Sequence, residues 1–82
     1  MLEKTTFPIA RIRVPGKRKK TLDLAKVDEI AMSILDEGQT TPIRVRADGD
    51  GFVLIEGLHR MEALRALGED TVIGYLVQAR PH

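Results

Sequence analysis

Residues 43–55 read IRVRADGDGFVLI and carry a strong signal for a β-hairpin. Apolar and charged side chains alternate from Ile43 to Ala47, which is the period-two pattern of a half-exposed strand. Phe52 to Ile55 form a short apolar run that suits a second strand. The four residues between them, Asp48 to Gly51, are typical of a tight turn. The sequence therefore predicts two antiparallel strands here.

A helix is predicted on each side of this hairpin. Leu24 to Leu35 contains apolar residues at helical spacing, Asp23 is placed to cap that helix, and Gly38 is placed to end it. Residues 58–67 are rich in good helix formers and predict the second helix. The hairpin thus lies between two helices in the chain.

Strands are also predicted near both ends of the chain. Residues 7–14 alternate apolar and polar side chains, and Pro8 suits the start or the edge of a strand because it cannot donate a backbone hydrogen bond. Residues 71–77 are rich in β-branched and aromatic side chains. The predicted order is strand, helix, strand, strand, helix, strand, in one small α+β domain.

The chain has 82 residues, 43% of them hydrophobic and 30% charged, which is the composition of a soluble globular domain. We expect a single domain over residues 1–82 with an ordered core of about 7–78, and frayed ends at 1–6 and 80–82. The core is small, because a chain of this length buries only about 60% of the surface that its unfolded form exposes. A homodimer is compatible with so small a core.

Composition also excludes several kinds of chemistry. Without any cysteine the chain has no disulfide, no thiolate metal site and no cysteine nucleophile, which fits a reducing cytoplasm. His59 and His82 are the only imidazoles, and the hairpin carboxylates Asp48 and Asp50 suit a turn, so we assign no metal site. No apolar run is long enough for a membrane span, and the N-terminus lacks a signal-peptide segment. We therefore expect a cytoplasmic protein without a membrane partner, whose mature chain is the whole chain.

Charge is unevenly distributed along the sequence. Residues 1–26 carry eight Lys and Arg against two acids, whereas residues 27–82 carry five against ten. Most of the basic excess lies in four consecutive residues, Lys17, Arg18, Lys19 and Lys20. This basic segment follows a Pro-Gly pair, which predicts an exposed loop. It is either a solvated loop or an arm that binds the phosphates of a nucleotide or a nucleic acid, with an affinity that falls as salt rises.

The segment Glu56-Gly57-Leu58-His59-Arg60 lies at a predicted strand-to-helix turn and indicates an anion site. Glycine lets the backbone approach a ligand closely, and the start of a helix offers N–H groups without intrahelical partners. Two basic residues in a first helical turn are disfavoured by the helix dipole unless an anion compensates them, and phosphate is the natural candidate. The alternative is structural, with Arg60 paired to an acid and His59 in solvent.

Other candidate residues lie on the first helix, after it, and at the end of the hairpin. Lys26 and Ser33 are seven residues apart, so they share a polar face from which they can present a charge and a hydroxyl to phosphate. Thr41 adds a hydroxyl at the connection to the hairpin. Glu56 is the one carboxylate singled out as a general acid or base. Each also has an ordinary interpretation: a solvated helix face, turn chemistry, or a rim carboxylate paired with an arginine.

Three blocks of the sequence resemble the ParB/sulfiredoxin superfamily. They are residues 22–27 (LDLAKV), 38–46 (GQTTPIRVR) and 57–63 (GLHRMEA). The blocks stand in the family's order, with a hairpin between the second and the third, and the resemblance extends over residues 7–78. It implies a mixed sheet with helices packed on it.

The resemblance also implies a ligand. In this superfamily, the glycine, the histidine or second basic residue, and the arginine at the start of the second helix bind nucleotide phosphates. That role falls on Gly57, His59 and Arg60, with Leu58 among them. It coincides with the anion site that the residues themselves indicate.

The similarity to sulfiredoxins, which repair over-oxidised peroxiredoxins with ATP, extends to the first helix. Lys26 matches their lysine and Ser33 stands at their threonine, whereas Glu29 stands where they have serine. Leu58 occupies the position of their catalytic cysteine in a Gly-Cys-His-Arg motif. Reduction of a sulfinic acid by that mechanism is therefore excluded.

Partition proteins of the ParB type, which bind CTP and clamp DNA, resemble the chain in the Gly-Gln-x-x-Pro-Ile block. They have Gly-Glu-Arg-Arg where this chain has Gly57-Leu58-His59-Arg60. They also need a helical DNA-binding domain and a dimerisation tail, and this chain stops at His82. Autonomous centromere recognition is therefore not expected of it.

The sequence leads us to expect a nucleotide-binding module that holds the phosphates of ATP or ADP, with or without Mg²⁺, at the start of the second helix. CTP is the alternative, and ATP or ADP is favoured because Lys26 and His59 resemble the sulfiredoxin side. Two other functions stay open: binding of DNA or a protein partner through the basic segment, and phosphoryl transfer to a small molecule with Glu56 orienting the acceptor hydroxyl. The acceptor and the biological process are not identified by the sequence.

Overall fold

A mixed five-stranded sheet with helices packed on it is the framework of the computed structural model, which describes residues 3–78. The strands are Lys4–Pro8 (β1), Ile12–Arg13 (β2), Ile43–Asp48 (β3), Gly51–Glu56 (β4) and Thr71–Leu76 (β5). The α-helices are Gly16–Lys19 (α1), Leu24–Glu37 (α2) and Leu58–Ala66 (α3). The predicted α+β class is confirmed.

The strands follow the order β1-β5-β3-β4-β2 across the sheet. β1 runs antiparallel to β5 and β3 antiparallel to β4, whereas β5 with β3 and β4 with β2 are parallel pairs. The predicted hairpin is confirmed as β3 and β4, which pair from Arg44 with Glu56 to Asp48 with Gly51. Gly49 turns the chain with φ +60°, a conformation that glycine adopts without steric cost. β3 is the central strand, and Ile43 at its start is fully buried.

The single strand predicted over residues 7–14 is wrong, because the chain forms two short strands at opposite edges of the sheet. Between β1 and β2, residues Ile9–Arg11 form one turn of 3-10 helix, and the Ile9 N–H donates to the Asp70 carbonyl at 2.9 Å. The buried side chains here are Phe7, Ile9, Ile12 and Val14. Successive buried positions are therefore two, three and two residues apart. The 3-10 turn accommodates the extra residue between Ile9 and Ile12.

The sheet is strongly curled. Its two edge strands, β1 and β2, are separated in the chain by only Ile9–Arg11. The path from Pro8 to Ile12 reaches about 14 Å at most, whereas four inter-strand spacings of a flat sheet add up to about 19 Å. The rings of Phe7 on β1 and Phe52 on β4 also lie 5.0 Å apart between centroids, in edge-to-face geometry. The N-terminal segment therefore brings the two edges of the sheet close together.

The helix boundaries follow the predicted caps. The Asp23 Oδ1 atom accepts hydrogen bonds from the backbone N–H groups of Ala25 (3.0 Å) and Lys26 (3.4 Å), so Asp23 caps α2. Gly38 ends the helix with φ +77°. α3 likewise ends before Gly68, as predicted. The residues at each helix end were thus sufficient to predict these boundaries.

The core is built mainly on β3, β4 and α3. The largest fully buried side chains are Ile43, Val45, Leu54, Met61 and Val72. α2 lies farther out: Val27 is its one fully buried residue, and Leu24, Met32 and Leu35 are each 69–70% exposed. α3 is therefore the helix that the sheet holds most firmly, and its N-terminus has a fixed position above the start of β3.

The connection from α2 to β3 is held by one side chain. The Gln39 Oε1 atom accepts from the Ile73 N–H at 2.8 Å, and the Gln39 Nε2 atom donates to the Ile73 carbonyl at 2.8 Å. The same Nε2 atom donates to the Thr41 carbonyl at 2.9 Å. The Gln39 side-chain amide thus forms with β5 the two hydrogen bonds that a residue of a neighbouring strand would form. It does so just before β3 begins.

Two further predictions need correction. The basic segment was predicted as a loop, but it forms the one-turn helix α1, in which the Arg18 and Lys19 N–H groups donate to the Pro15 carbonyl. Lys and Arg are good helix formers, and the Pro15 carbonyl accepts the first hydrogen bonds of the turn. Residues 4–6, predicted as frayed, belong to β1 and pair with β5. The end at 80–82 lies outside the described residues.

Candidate functional site

The starts of α2 and α3 are joined by one hydrogen bond. The Asp23 backbone N–H donates to the His59 Nε2 atom at 3.0 Å. Asp23 caps α2, and His59 lies in the first turn of α3, so two helix N-termini meet at this point. His59 is half-buried there, which differs from the alternative of a fully solvated side chain. Its Nδ1 atom is the nitrogen that can still donate to a ligand.

The start of α3 has the features of an anion site. Within residues 3–78, no side chain caps the first N–H groups of α3, whereas Asp23 caps those of α2. The first turn of α3 also contains no acid. The N-cap residue Gly57 adopts the left-handed conformation, with φ +108°. Free N–H groups and the positive end of the helix dipole point out of such a terminus. These first N–H groups therefore have no side-chain partner among the described residues.

Gly57 is positioned by the core. A Cβ atom on it would lie 2.5 Å from the Ile43 Cγ2 atom, and Ile43 is fully buried at the start of β3. No other residue fits this position without movement of the backbone or of Ile43. The turn between β4 and α3 is therefore pressed directly onto the central strand.

Two cations, Arg60 and Lys26, belong to the turns that meet at this terminus. Arg60 follows Gly57 on α3, and Lys26 follows Asp23, whose backbone contacts His59. Arg60 is half-buried in the first turn of α3, and Lys26 is exposed in the first turn of α2, three residues after Asp23. Within residues 3–78, neither side chain forms an ion pair with an acid. Both charges are thus available to a ligand, and the alternative of an acid-paired Arg60 is not observed.

The other predicted nucleotide ligands are placed less closely. Ser33 is exposed on α2, ten residues after Asp23, and is therefore about 15 Å further along the helix axis. Thr41 lies two residues before Ile43, and Ile43 is packed against Gly57. The Thr41 carbonyl accepts a hydrogen bond from the Gln39 side chain. Leu58 is buried and carries no reactive group. The structure brings the Gly57 to Arg60 segment and the Lys26 turn together, whereas Ser33 belongs to a more distant part of α2.

Glu56 is the last residue of β4 and precedes the glycine turn. Its Oε2 atom lies 3.6 Å from the Arg44 Nε atom, and its side chain is 70% exposed. The rim carboxylate paired with an arginine, one of the two sequence interpretations, is thus the arrangement observed.

The basic segment presents four exposed side chains, Lys17, Arg18, Lys19 and Lys20. None of them forms an ion pair with an acid in the described part of the chain. The segment leads through Leu22 to Asp23, so α1 lies on the chain path into the site.

Two contacts in this region were not predicted from the sequence. The hydrogen bond from Asp23 to His59 joins residues 36 positions apart, and the Gln39 amide reaches residue Ile73 across 34 positions. The Gly-Gln-x-x-Pro-Ile block was a signal for the second contact, because an amide directly after a helix stop can pair with exposed backbone.

No group of three or more His, Cys, Asp or Glu side chains in residues 3–78 is arranged to hold a metal ion. Over the same residues, no helix combines the length and apolar character that a membrane crossing requires.

Comparison with known proteins gives the family. The chain matches the ParB N-terminal domain family over residues 3–81. It is 34% identical over 62 residues to the probable chromosome-partitioning protein ParB of Campylobacter jejuni, and 38% identical over 63 residues to the chromosome-partitioning protein ParB of Myxococcus xanthus. Each match covers 76% of this chain, but only 22% and 21% of those proteins. The chain thus spans about a fifth of the length of the curated relatives that it matches.

Solved structures with the same fold include proteins of different activities. Sulfiredoxin from Arabidopsis thaliana has a TM-score of 0.83 and 30% identity, over 94% of this chain and 86% of that one. C-terminally truncated ParB from Caulobacter crescentus, complexed with CTP-γ-S, has a TM-score of 0.76 and 21% identity, over 98% of this chain and 46% of that one. A mutant free serine kinase in complex with AMP has a TM-score of 0.79 and 14% identity, over 93% and 31%.

The sequence resemblance, the fold shared with these solved structures and the match over residues 3–81 agree with one another. They also agree with the absence of the sulfiredoxin cysteine, whose place is taken by Leu58. The chain therefore belongs to the ParB N-terminal domain family.

Proposed function

We propose that this domain binds a nucleoside di- or triphosphate, with the phosphates at the N-terminus of α3. The observation that carries the proposal is the uncapped first turn of α3, which has basic residues and no acid. The backbone N–H groups after Gly57, the His59 Nδ1 atom and the Arg60 guanidinium are the donors to phosphate. A nucleotide would supply the anion that compensates these positive groups.

Lys26 contributes a second cation from the first turn of α2. The hydrogen bond between Asp23 and His59 holds that turn against α3, so phosphate oxygens between the two helices can face both Lys26 and Arg60. Thr41 and Ser33 are polar contacts of lower weight, since Ser33 lies about 15 Å beyond Asp23 along the axis of α2. Mg²⁺ would be bound chiefly by the phosphates themselves, because it usually retains water ligands and needs few carboxylates.

Proteins of the same fold support a nucleotide as the ligand of this domain. Experiment has to identify which base it carries. A ParB from Caulobacter crescentus is complexed with CTP-γ-S, and a free serine kinase of this fold is in complex with AMP. Lys26 and His59 favour ATP or ADP on the sulfiredoxin pattern, whereas membership of the ParB family favours CTP. All three nucleotides therefore belong in the first experiment.

That experiment is a calorimetric titration of ATP, ADP and CTP, with Mg²⁺, into the wild type and Arg60→Ala. Loss of a charge-assisted hydrogen bond to phosphate is expected to weaken binding by about 2 kcal/mol. Arg65→Ala is the matched control, because Arg65 lies on the same helix but in the last turn, paired with Glu62 at 3.2 Å. Equal binding by the wild type and Arg60→Ala, or no binding of any nucleotide, would overturn the proposed site.

Binding of DNA through the basic segment is a second candidate, favoured by four exposed cations without ion pairs in residues 3–78. A ParB of this fold from Caulobacter crescentus is complexed to the centromeric parS site. Fluorescence anisotropy at about 100 mM salt tests this candidate, with all four residues replaced by glutamine as the comparison. Affinity that falls steeply with salt and is lost in the variant supports it, whereas no binding refutes it.

Phosphoryl transfer rests on Glu56, which stands beside Gly57 and is held only loosely by Arg44. In this function the carboxylate would orient an acceptor hydroxyl toward the terminal phosphate. Saturating nucleotide with a set of hydroxylated acceptors should give turnover that Glu56→Gln lowers by at least about a hundredfold. Turnover equal to that of buffer, or equal in the variant, would contradict it.

A further inference from the structure

Helix α2 carries an apolar face that the described part of the chain leaves uncovered. Leu24, Met32 and Leu35 are each 69–70% exposed, and they are the three most exposed large hydrophobic residues in residues 3–78. Leu24, Ala31 and Leu35 lie within about 40° of one another around the helix, and Met32 lies about 60° beyond Leu35. From Leu24 to Leu35 the face runs for about 16 Å, or about three turns. We call these four residues the outer face of α2.

The outer face is distinct from the side of α2 that packs against α3. On that inner side Val27 is fully buried, and Ile30 and Ile34 are half-buried. The centres of the two sides are about 100° apart around the helix. Single exposed apolar side chains are common on protein surfaces, whereas several on one stripe of a helix mark a contact surface. α2 thus has apolar residues for one neighbour inside the domain and for a second one outside it.

The outer face is acidic as well as apolar. The sequence of α2 contains four acids and one lysine, a net charge of −3. The acids are Asp28, Glu29, Asp36 and Glu37. Asp28 lies between Leu35 and Met32 around the helix, and Asp36 and Glu29 follow beyond Met32. All four carboxylates are exposed, and none of them forms an ion pair within residues 3–78. Positive charges on a partner would complement this surface.

The outer face is also remote from the groups of the proposed nucleotide site on the same helix. Lys26 and Ser33 lie about 160–180° around the helix from Leu24 and Leu35. A partner bound to the outer face therefore leaves Lys26 and Ser33 uncovered. Occupation of this face does not depend on a bound nucleotide.

We propose that the outer face of α2 docks a basic amphipathic helix of a partner protein. The apolar side chains of that helix lie on Leu24 and Leu35, and the small Ala31 between them lets the two helices approach closely. Lysine or arginine side chains of the partner pair with Asp28 and with the acids beside Met32, while their aliphatic stems cover Met32. A second copy of this chain fits less well, because two α2 helices would bring two net charges of −3 together.

The test uses two synthetic peptides of about 18 residues, a length that supports a helix in water. Both have leucine at steps of three and four residues, and alanine shares the other positions with lysine in one peptide and with glutamate in the other. In nuclear magnetic resonance titrations of the isotope-labelled full chain, the lysine peptide should shift the backbone amides of α2, with a Kd of about 100 μM or lower. The glutamate peptide should bind at least about tenfold more weakly. Equal binding of the two peptides, or no shift in α2 with about 1 mM lysine peptide, would overturn the proposal.

Leu35→Ser tests the apolar contact. The substitution removes an exposed side chain and leaves the core in place, and it should lower the affinity for the lysine peptide about tenfold. Leu76→Ser is the matched control, because Leu76 is 44% exposed but lies on β5. Its affinity should equal that of the wild type. Equal losses in the two variants would contradict a site on α2.

Asp28→Asn tests the charge at the middle of the outer face. It should lower the affinity for the lysine peptide about fivefold, as expected for one partly exposed ion pair. Glu69→Gln removes an exposed acid that follows α3 and should leave the affinity unchanged. The same loss in both variants would reduce the effect to general charge and refute pairing at Asp28.

Light scattering of the wild type at about 1 mM separates a partner from a second copy of the chain. A monomer at this concentration supports a foreign basic helix as the occupant. A dimer that Leu35→Ser dissociates would show that a second copy covers the outer face, and it would overturn the proposal.

Discussion

Gly57 and Ile43 are so close that no side chain fits between them. A Cβ atom at position 57 would lie 2.5 Å from the Ile43 Cγ2 atom and 2.8 Å from its Cβ atom. Ile43 is fully buried on the central strand, so it has no free space to move into. The position of the α3 N-terminus, and with it the proposed phosphate site, depends on this contact.

Gly57→Ala is expected to destabilise the domain by about 3 kcal/mol. The left-handed backbone at φ +108° and the overlap with Ile43 each contribute, since alanine disfavours the first and overpacking causes the second. Urea unfolding measures the change through the shift in midpoint.

Gly68→Ala is the matched control for this change. Gly68 also has a positive φ, +82°, but no atom lies within 4 Å of where its Cβ would be. It should therefore cost only the backbone strain, about 1 kcal/mol. Equal losses in the two variants would show that contact with Ile43 adds nothing.

Gln39→Ala is expected to loosen the connection between α2 and β3. The change removes three hydrogen bonds and leaves the Ile73 N–H and carbonyl without their partner. We expect a loss of about 2 kcal/mol, with hydrogen exchange at the Ile73 amide accelerated more than at core amides. Gln39→Glu keeps the acceptor but not the donor, so it should protect the Ile73 amide better than alanine does. Unchanged exchange in Gln39→Ala would contradict the bridging role.

His59 is expected to carry its proton on Nδ1 when the imidazole is neutral. The Nε2 atom accepts from the Asp23 N–H at 3.0 Å and so cannot carry a proton of its own in this state. Long-range nitrogen–proton correlation spectra distinguish the two tautomers directly. Observation of the Nε2–H form would mean that the two helix starts are not joined through this bond.

Asp23→Ala should cost about 1 kcal/mol of stability through loss of the α2 cap. Asp23→Asn keeps a cap oxygen and should be nearly neutral. Thermal unfolding of the two variants and the wild type measures the difference. Because the bond to His59 uses the backbone of Asp23, the His59 tautomer should be the same in all three proteins, and a change of tautomer in Asp23→Asn would contradict this assignment.

Local sequence signals predicted the parts of the fold that depend on neighbouring residues. The turn between β3 and β4, the Asp23 cap and the Gly38 stop each arise from side chains within a few positions of one another. The glycine and basic residues at the start of α3 were identified for the same reason. Their available donors follow from the ordinary geometry of a helix start.

Contacts between distant residues were not predicted in the same way. β1 has only Phe7 buried, so Lys4 to Thr6 show no apolar alternation, and the pairing with β5 is what orders them. The position of His59 also depends on Asp23, 36 residues earlier in the chain. The sequence shows which donors are present at the site, but only the fold shows which of them are already engaged.

The pairing of β1 with β5 also sets the order in which the molecule can form. Lys4 pairs with Tyr75, so this edge of the sheet closes only after almost all of the chain is available, at a large cost in loop entropy. The β3–β4 hairpin and α3 involve near neighbours and can assemble first. During synthesis, β1 would leave the ribosome early and remain unpaired until β5 follows. The N-terminal strand is thus the last to be secured, and the folding rate is expected to respond to changes in the hairpin far more than to changes in β1.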